Sequence, residues 1–594
     1  MPAHNTLFWV TLPILIGVIL YQIGLQSLLP ASIYEYAGFK TFRSLFEETH
    51  CYASVKTLSA DLPHAECFSI SNGRFSRVFN DDLIKQDPSC DAVKDARAGY
   101  VYPGLWDGHG HLIQFGELLN SVSLFGAESM AEVQDRLVQY KESHPEEGTS
   151  KRWLRGVGWD QARFSGKWPT TSDLEISEVF KDQYVMLDRV DVHCIWVSDK
   201  VLGLLPSPLP EVPAGGEIVA PGVFCDNAME MVLEHYPKPD RDRKSKFVKD
   251  AMAELNKLGI VGMHDAGVVP GDLKLYEELS GDEDWKVRVN AMIECDARNT
   301  FCPHDVKKIS TSNGMFHVRS VKLFGDGALG SWGSAMIDPY SDKESSTGSL
   351  LVNATVLSSL TQNWAAEGYQ VNIHAIGDLA NRLAIDAFEI TLKLQCPDIT
   401  KLKDCQQQQH RFRIEHAQII HPDDQRRMFE LGIIPSIQPT HATSDMGYAE
   451  SRLGKQRTAD EAYRMRSLLP LGPVLGSDFP VEPASIFEGM YAAATRRSPR
   501  TGLDPSGGKT GWYPDETLTV QDALKGFTTN PAYSAFLEGK AGVIQEGAWA
   551  DWVVLDEPLE DMDLEDLRKL TVRETWVGGK MVYQRSSPHG SLPQ

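Results

Sequence analysis

The chain has 594 residues, of which 42% are hydrophobic and 23% charged, so it can bury a large core and is not disordered in bulk. Its formal net charge of −23 argues against a nucleic-acid partner, because a phosphate-binding surface needs clustered lysines and arginines. The sequence contains no basic stripe and no phosphate-binding loop.

The segment from Leu7 to Leu29, near the amino terminus, is mostly apolar and carries no charged residue. At about 1.5 Å per residue it can cross a bilayer core of roughly 30 Å. It is longer than the apolar region of about 7–15 residues in a signal peptide, and no small-x-small site follows it, which favours a signal-anchor over a cleaved signal peptide. We therefore predict a membrane segment in residues 1–30 and a linker over 31–49.

This membrane segment would make the protein single-pass, in the endomembrane or secretory pathway, with secretion after signal cleavage as the alternative. The nine cysteines agree with a lumenal location. Cys51, Cys67 and Cys90 cluster near one end, and Cys396 lies near Cys405, so one or two bridges are expected there.

Five separated pieces of the chain each end a strand-like run on a residue able to bind a metal. The series comprises His109 with His111, Lys322, His374, His416 and Asp478. His109 and His111 are two residues apart, so on an extended strand both side chains leave the same face and can close on one ion. Such a histidine pair alone is a weak signal, but the ordered series predicts one divalent-metal hydrolase site.

Three further strand candidates, residues 259–265, 287–293 and 433–438, bring the number of predicted strands to eight. Helix-length segments such as residues 381–394 and 422–431 separate them. Alternating strands and helices of this number predict a TIM-type (β/α)8 barrel over residues 103–539, with its site at the carboxyl ends of the strands.

Some 150 residues separate the first two predicted strands, far more than a crossover helix needs. We expect an insertion over about residues 145–235, packed near the mouth of the site. It contains Trp153, Trp159, Trp168 and Trp196, which either line an apolar pocket or form the insertion's own core.

The order of the motifs, and the residues within them, resemble the amidohydrolase superfamily. Within it they are similar to the amidohydrolase-3 branch, which includes N-substituted formamide deformylases. The resemblance spans roughly residues 60 to 585. The stretches that carry it are residues 103–111, 258–267, 322–330, 374–382, 413–418, 438–446, 476–483 and 517–533. It implies a small β-sandwich built from both chain ends, residues 50–102 and 540–585, where Cys67 to Phe79 and residues 547–556 and 571–583 alternate like strands. We expect a flexible tail over residues 586–594.

Lys322 fits a ligand ring only if its amine reacts with carbon dioxide to give an anionic carbamate, because a free ammonium would repel a cation. The resemblance implies that role. The alternative is an ordinary ion pair between Lys322 and Asp326. With two metals, zinc being the expected ion, His109, His111, Lys322 and Asp478 would hold the first and Lys322, His374 and His416 the second.

Asp478 is then the expected proton carrier between the attacking water and the departing nitrogen, with a helix N-cap as its alternative role. Three carboxylates lie close in sequence to ligands and are candidates for orienting the imidazoles: Asp107, Asp378 and Glu415. The candidates for contact with a small-molecule substrate are Trp159, His193, Asp326, Trp332 and His441. Trp332 and Leu379 stand where the family often has arginine, so the substrates of relatives do not carry over directly.

The sequence thus predicts a membrane-tethered, metal-dependent hydrolase that cleaves an amide-type C–N bond, N-acyl or N-formyl, in a small molecule. A catalytically silent, membrane-bound scaffold or signalling protein is the alternative. A homodimer is the candidate oligomeric state.

Overall fold

A computed structural model describes residues 48–80, 97–164, 166–190, 192–213 and 216–586. The predicted membrane segment, nearly all of the linker, Cys90 and most of the predicted tail lie outside these residues. Among the helices inside them, none combines the length and the apolar character that crossing a bilayer requires.

The strands are, in chain order, β1 (Glu48–Lys56), β2 (His64–Ser71), β3 (Arg74–Phe79), β4 (Arg97–Pro103), β5 (Leu105–Gly110), β6 (Val122–Ser123), β7 (Leu154–Trp159), β8 (Val185–Arg189), β9 (Cys194–Val197), β10 (Gly216–Ala220), β11 (Val223–Asp226), β12 (Ile260–Val268), β13 (Arg288–Ile293), β14 (Ile309–Ser310), β15 (Phe316–Phe324), β16 (Gln370–Ala375), β17 (Arg413–His416), β18 (Ile434–Ile437), β19 (Val474–Leu475), β20 (Trp552–Leu555), β21 (Glu574–Val577) and β22 (Lys580–Gln584).

The α-helices are α1 (Leu112–Leu119), α2 (Met130–Ser143), α3 (Thr171–Glu175), α4 (Asp199–Leu202), α5 (Glu230–Leu233), α6 (Arg241–Lys257), α7 (Pro270–Leu279), α8 (Ala354–Ala366), α9 (Asp378–Gln395), α10 (Leu402–Cys405), α11 (Pro422–Leu431), α12 (Pro439–Asp445), α13 (Ala449–Leu453), α14 (Lys455–Glu461), α15 (Ile486–Thr495), α16 (Val520–Gly526), α17 (Thr529–Ser534) and α18 (Leu564–Leu567).

A parallel barrel sheet forms the centre of the molecule. Within the described residues its strands follow the order β5, β12, β13, β15, β16, β17, β18, β19, and each neighbouring pair is parallel. A bridge between Gly110 and Phe479 brings the last strand back beside the first. The eight predicted strands are therefore found, in a nearly closed barrel.

Helices pack around the barrel through apolar faces. Helix α9 buries Ala380, Ala384, Ile385, Phe388 and Leu392, spaced so that they share one side of the helix. Helix α11 begins at a proline and ends before Gly432, whose φ of 71° is the left-handed conformation that commonly stops a helix. Such helices cover the barrel and leave its strand ends to form a site.

Both ends of the described chain meet in one seven-stranded sheet, ordered β22, β21, β20, β4, β1, β2, β3. The predicted hairpin is present, since β2 and β3 pair across Asn72 and Gly73, which have φ of 52° and 72°. Phe68 of β2 and Trp552 of β20 lie 5.0 Å apart between ring centroids. Three strand spacings of about 4.8 Å separate β2 from β20, so the sheet must fold over itself around a sandwich-like core.

The insertion after α1 forms a six-stranded sheet ordered β10, β11, β9, β8, β7, β6. It starts at Val122, earlier in the chain than the predicted boundary near 145, because β6 pairs with β7. Trp159 and Trp196 are fully buried in this sheet, with ring centroids 6.0 Å apart. These two tryptophans therefore form the insertion's own core.

Candidate metal centre at the barrel mouth

All six predicted metal ligands lie at the carboxyl ends of barrel strands. His109 is in β5 and His111 follows it, Lys322 is in β15, His374 in β16 and His416 in β17, and Asp478 follows β19. In a barrel of parallel strands these ends meet at one mouth. Residues spread over 370 positions of the chain are thus brought together, as predicted.

Asp478 lies against the histidine pair. One carboxylate oxygen, Oδ1, is 3.1 Å from Nε2 of His111 and 3.5 Å from Nε2 of His109. The amine of Lys322 is 3.3 Å from the same Nε2 of His109. These contacts group the four residues that were predicted to hold a first ion.

His416 connects this group to the second predicted set. Its ring centroid lies 4.9 Å from that of His109 and 4.4 Å from that of His374. Ligand atoms of His109, His416 and Asp478 all lie within 4.8 Å of one another. Nε2 of His374 is buried and has no hydrogen-bond partner among the described residues. Imidazole and carboxylate donors at this spacing fit zinc and related divalent ions.

The site is buried, and this sets the protonation of its ligands. Burial lowers the pKa of His109 to about 4, and burial also lowers the pKa of His374 and of His416 well below the usual value. These three imidazoles are therefore neutral at pH 7, with lone pairs available for a metal ion. Burial likewise lowers the pKa of the Lys322 amine.

The backbone at two ligands is strained. His416 has φ of 71° and Asp478 has φ of 63°, a left-handed conformation that costs a residue other than glycine about 1 kcal/mol. Beside them, a Cβ atom on Gly476 would lie 2.5 Å from the backbone nitrogen of His109, so only glycine permits this approach. Strain of this kind gathers at functional sites, where surrounding structure maintains it.

Two side chains orient the imidazoles through their second ring nitrogens. Nδ1 of His109 lies 2.5 Å from Oε2 of Glu415, the role predicted for this glutamate. Nδ1 of His416 lies 3.0 Å from Oε1 of Gln438. In the sequence Gln438 belongs only to the family-like stretch 438–446, and nothing in that stretch signals a contact with His416.

Asp107 and Asp378 have a different role from the predicted one. Asp107 accepts hydrogen bonds from the backbone of His109 and from the backbone and hydroxyl of Ser477. Asp378 accepts from the backbone nitrogens of Ile337 and Leu379. Both carboxylates hold loops of the mouth in place through main-chain groups, so the prediction that they orient imidazoles is corrected.

Two of the predicted substrate contacts lie near the ligands. Nε2 of His441 is 3.7 Å from Oδ2 of Asp478, and its ring stacks on that of His416 with centroids 5.8 Å apart. Nδ1 of His193, the residue before β9 of the inserted sheet, lies 2.9 Å from Oδ1 of Asp226. Asp226 in turn lies beside Gly327 in the loop after β15, which places His193 near the mouth.

The other three predicted substrate contacts have protein partners, although Oδ1 of Asp326 also lies 3.7 Å from Nε2 of His374. Asp326 is fully buried and accepts hydrogen bonds from the backbone nitrogens of Ala335, Ile376 and Gly377. The Trp332 indole donates to Asp342 and stacks under the Arg452 guanidinium. Trp159 donates its indole N–H to the carbonyl of Leu187 inside the inserted sheet. Trp159 and Asp326 thus stabilise the fold, a correction to the predicted role.

The chain matches the sequence profile of the Amidohydrolase family over residues 92–583. Its relatives include Protein LONG AFTER FAR-RED 3 of Arabidopsis thaliana, 28% identical over 556 residues, which are 89% of this chain and 90% of the relative. The Putative amidohydrolase YtcJ of Bacillus subtilis is 27% identical, over 82% of this chain and 89% of the relative. The N-substituted formamide deformylase of Arthrobacter pascens is 24% identical, over 90% of this chain and 98% of the relative.

The fold is also similar to that of a solved structure, an uncharacterized metal-dependent hydrolase from Pyrococcus horikoshii. The two superimpose with a TM-score of 0.68 at 24% sequence identity, covering 87% of this chain and 99% of the other. This similarity supports the barrel architecture described above.

Proposed function

Because the chain belongs to the amidohydrolase family, as the resemblance predicted, we propose that it is a metal-dependent hydrolase cleaving an amide-type C–N bond of a small molecule. N-acyl and N-formyl amines are the proposed substrate class. The N-substituted formamide deformylase among its relatives supports this choice, since similarity extends over 90% of this chain.

The observation that carries the proposal is the convergence of six side chains from five strand ends on one buried mouth. A silent relative would have no need for histidines, a lysine and an aspartate to converge in this way. His109, His111, Lys322 and Asp478 would hold one divalent ion, zinc being the expected one, and Lys322, His374 and His416 a second. A bound divalent ion supplies a water nucleophile at neutral pH and polarises the substrate carbonyl.

Lys322 is proposed to act as a carbamate. Its amine would add to the carbon of carbon dioxide and lose a proton, leaving an anion with two oxygens as ligands. Burial favours the neutral amine that this addition needs, since it lowers the pKa of Lys322. The alternative ion pair with Asp326 has little support, because Asp326 is occupied by three backbone N–H groups.

Asp478 is the proposed catalytic proton carrier. Burial raises the pKa of its carboxyl, but His109 and the hydrogen-bonded His111 lower it more, so the group is ionised at pH 7. It can therefore accept a proton from the attacking water and deliver it to the departing nitrogen. General acid–base catalysis of this kind contributes about 10²–10⁴-fold to the rate.

A hydrolysis screen tests the proposal. The full chain, loaded with zinc or manganese, is assayed against N-formyl and N-acyl amines, with Asp478→Asn as the matched inactive variant. We expect release of the free amine by the wild type and a loss of about 10²–10⁴-fold in the variant. Absence of hydrolysis throughout the panel would favour the scaffold or signalling alternative.

Membrane attachment through residues 1–30 and a lumenal location remain part of the proposal. In the described part of the chain, four cysteine pairs are bridged: Cys51–Cys67, Cys194–Cys225, Cys295–Cys302 and Cys396–Cys405. Disulfides persist mainly in oxidising compartments, which supports the secretory pathway.

A further inference from the structure

An arginine is buried inside the barrel directly beneath the metal centre. Arg413 is the first residue of β17, three positions before the ligand His416, and is 1% exposed. A buried guanidinium must have every charge and donor matched, because an unpaired one is strongly destabilising. The hydrogen-bond partners of Arg413 therefore indicate its role.

The first partner of Arg413 is the glutamate that holds a ligand. Nε donates to Oε1 of Glu415 over 2.8 Å, and Nη2 donates to Oε2 over 3.0 Å, a two-point contact that fixes the carboxylate plane. Oε2 of the same glutamate lies 2.5 Å from Nδ1 of His109. Arginine, glutamate and the ligand histidine thus form one continuous chain of contacts.

The remaining donors of Arg413 tie it to four other elements of the barrel. Nη2 donates to the carbonyl of Gly108 in β5 and to the hydroxyl of Ser436 in β18, both over 3.0 Å. Nη1 lies 2.6 Å from Nδ1 of His264 in β12 and 3.1 Å from the hydroxyl of Ser534 in α17. Every N–H of the guanidinium therefore has an acceptor, and the group cannot rotate without losing several of them.

We propose that Arg413 is a positioning residue of the metal site: by locking Glu415 in one orientation it fixes His109 with Nε2 facing Lys322 and Asp478. This inference rests on the proposed metal-dependent function. Glu415 held as an anion accepts the Nδ1 proton of His109, which leaves the lone pair on Nε2 for the ion. The contact of Arg413 with Gly108, the residue before His109, holds the backbone of the same ligand.

A purely structural role is the competing explanation, and the barrel contains a matched control for it. Arg288 is also 1% exposed and makes a two-point contact with a buried carboxylate, Asp551, over 2.6 and 2.9 Å. It also donates to the carbonyls of Asn313 and Gly314. Arg288 lies at the start of β13, at the amino end of its strand and away from the mouth.

The test compares Arg413→Lys with Arg288→Lys in the full chain. Zinc affinity is measured by competition with a chelator, and thermal unfolding is measured on the metal-free proteins. Lysine cannot make the two-point contact. We expect both variants to melt at lower temperature, but only Arg413→Lys to bind zinc about 10–100-fold more weakly, while Arg288→Lys stays within about twofold of wild type.

Equal zinc affinity in Arg413→Lys and wild type, or an equal loss in both variants, would overturn the inference. A wild-type protein that binds no zinc would instead overturn the proposed function. If Arg413→Lys does not fold, the double variant Ser436→Ala with Ser534→Ala distinguishes the positioning role from a purely structural one. It keeps the arginine–glutamate pair but removes two acceptors, and should weaken zinc binding about tenfold if the position of the guanidinium matters. Unchanged zinc affinity in that double variant contradicts the inference.

Discussion

The amine of Lys322 lies 3.3 Å from Nε2 of His109, a nitrogen that also faces the carboxylate of Asp478. A positive charge at this position would repel any cation held by the two side chains. The contact is therefore compatible with metal binding only when the amine has lost its charge, as it does in a carbamate.

Replacing Lys322 by alanine should abolish hydrolysis, because both proposed ions lose a shared ligand. Short carboxylic acids such as acetate should partly restore activity by occupying the place of the carbamate. Lys308→Ala is the control, since Lys308 contacts the carbonyl of Glu367 on the outside of the barrel and should leave activity unchanged. Full activity of the Lys322 variant without added acid would remove this residue from the mechanism.

Asp226 and His193 are predicted to act on substrate binding from the inserted sheet. The backbone of Asp226 has a positive φ of 50°. Its side chain lies close to Gly327, in the loop after β15, because a Cβ atom placed on that glycine would be 3.4 Å from Oδ1 of Asp226. The pair therefore sits against the barrel mouth. His193→Ala should raise KM about tenfold, the effect of losing a hydrogen bond to substrate.

The control for this prediction is Trp159→Phe in the same inserted sheet. Its indole is internal to the core, so this change should lower the melting temperature and leave KM unaltered. Steady-state kinetics of both variants give the two KM values to be compared. A KM that rises with Trp159→Phe but not with His193→Ala would mean that Trp159, and not His193, contacts the substrate.

Asn299 is predicted to hold the strand that carries Lys322. Its side chain donates to the carbonyl of Phe324 over 2.9 Å and accepts from the Phe324 nitrogen over 2.9 Å. The loop that carries Asn299 is closed by the Cys295–Cys302 bridge. Asn299→Ala should therefore lower kcat/KM about fivefold through a displaced Lys322. If zinc affinity and kcat/KM both stay at wild-type values, the end of β15 does not depend on this loop.

Asp326 is expected to stabilise the fold, in place of the substrate contact predicted from the sequence. Alanine at this position would leave three buried backbone N–H groups without an acceptor, so the free energy of unfolding should fall by roughly 3 kcal/mol. Denaturant unfolding of the metal-free protein measures this loss. An unchanged free energy of unfolding combined with a raised KM would restore the substrate contact predicted from the sequence.

The ligands and the barrel could be predicted from the sequence because each signal is local. A histidine or aspartate that ends an apolar run is visible in a window of about ten residues, and the parallel barrel then brings the strand ends together. The helix predicted over residues 422–431 is likewise found as α11 with the same bounds.

Partnerships between distant side chains could not be predicted in this way. The contact of Gln438 with His416 depends on how two neighbouring strands are placed, and Arg413 meets His264, 149 residues away, only inside the closed barrel. Trp159 was misassigned because an aromatic residue in an insertion has the same sequence signature in a pocket wall as in a core. Asp326 was misassigned because its carboxylate oxygens accept hydrogen bonds from backbone N–H groups. Every residue type except proline carries such a group, so the sequence does not reveal these contacts.

The metal content of the purified full chain is the decisive measurement for the proposed metal centre. We expect one or two equivalents of zinc or a similar divalent ion in the wild type, and their loss in His109→Ala. Wild-type protein that contains no such ion, and takes none up when zinc is supplied, would contradict the metal centre and the hydrolase built on it.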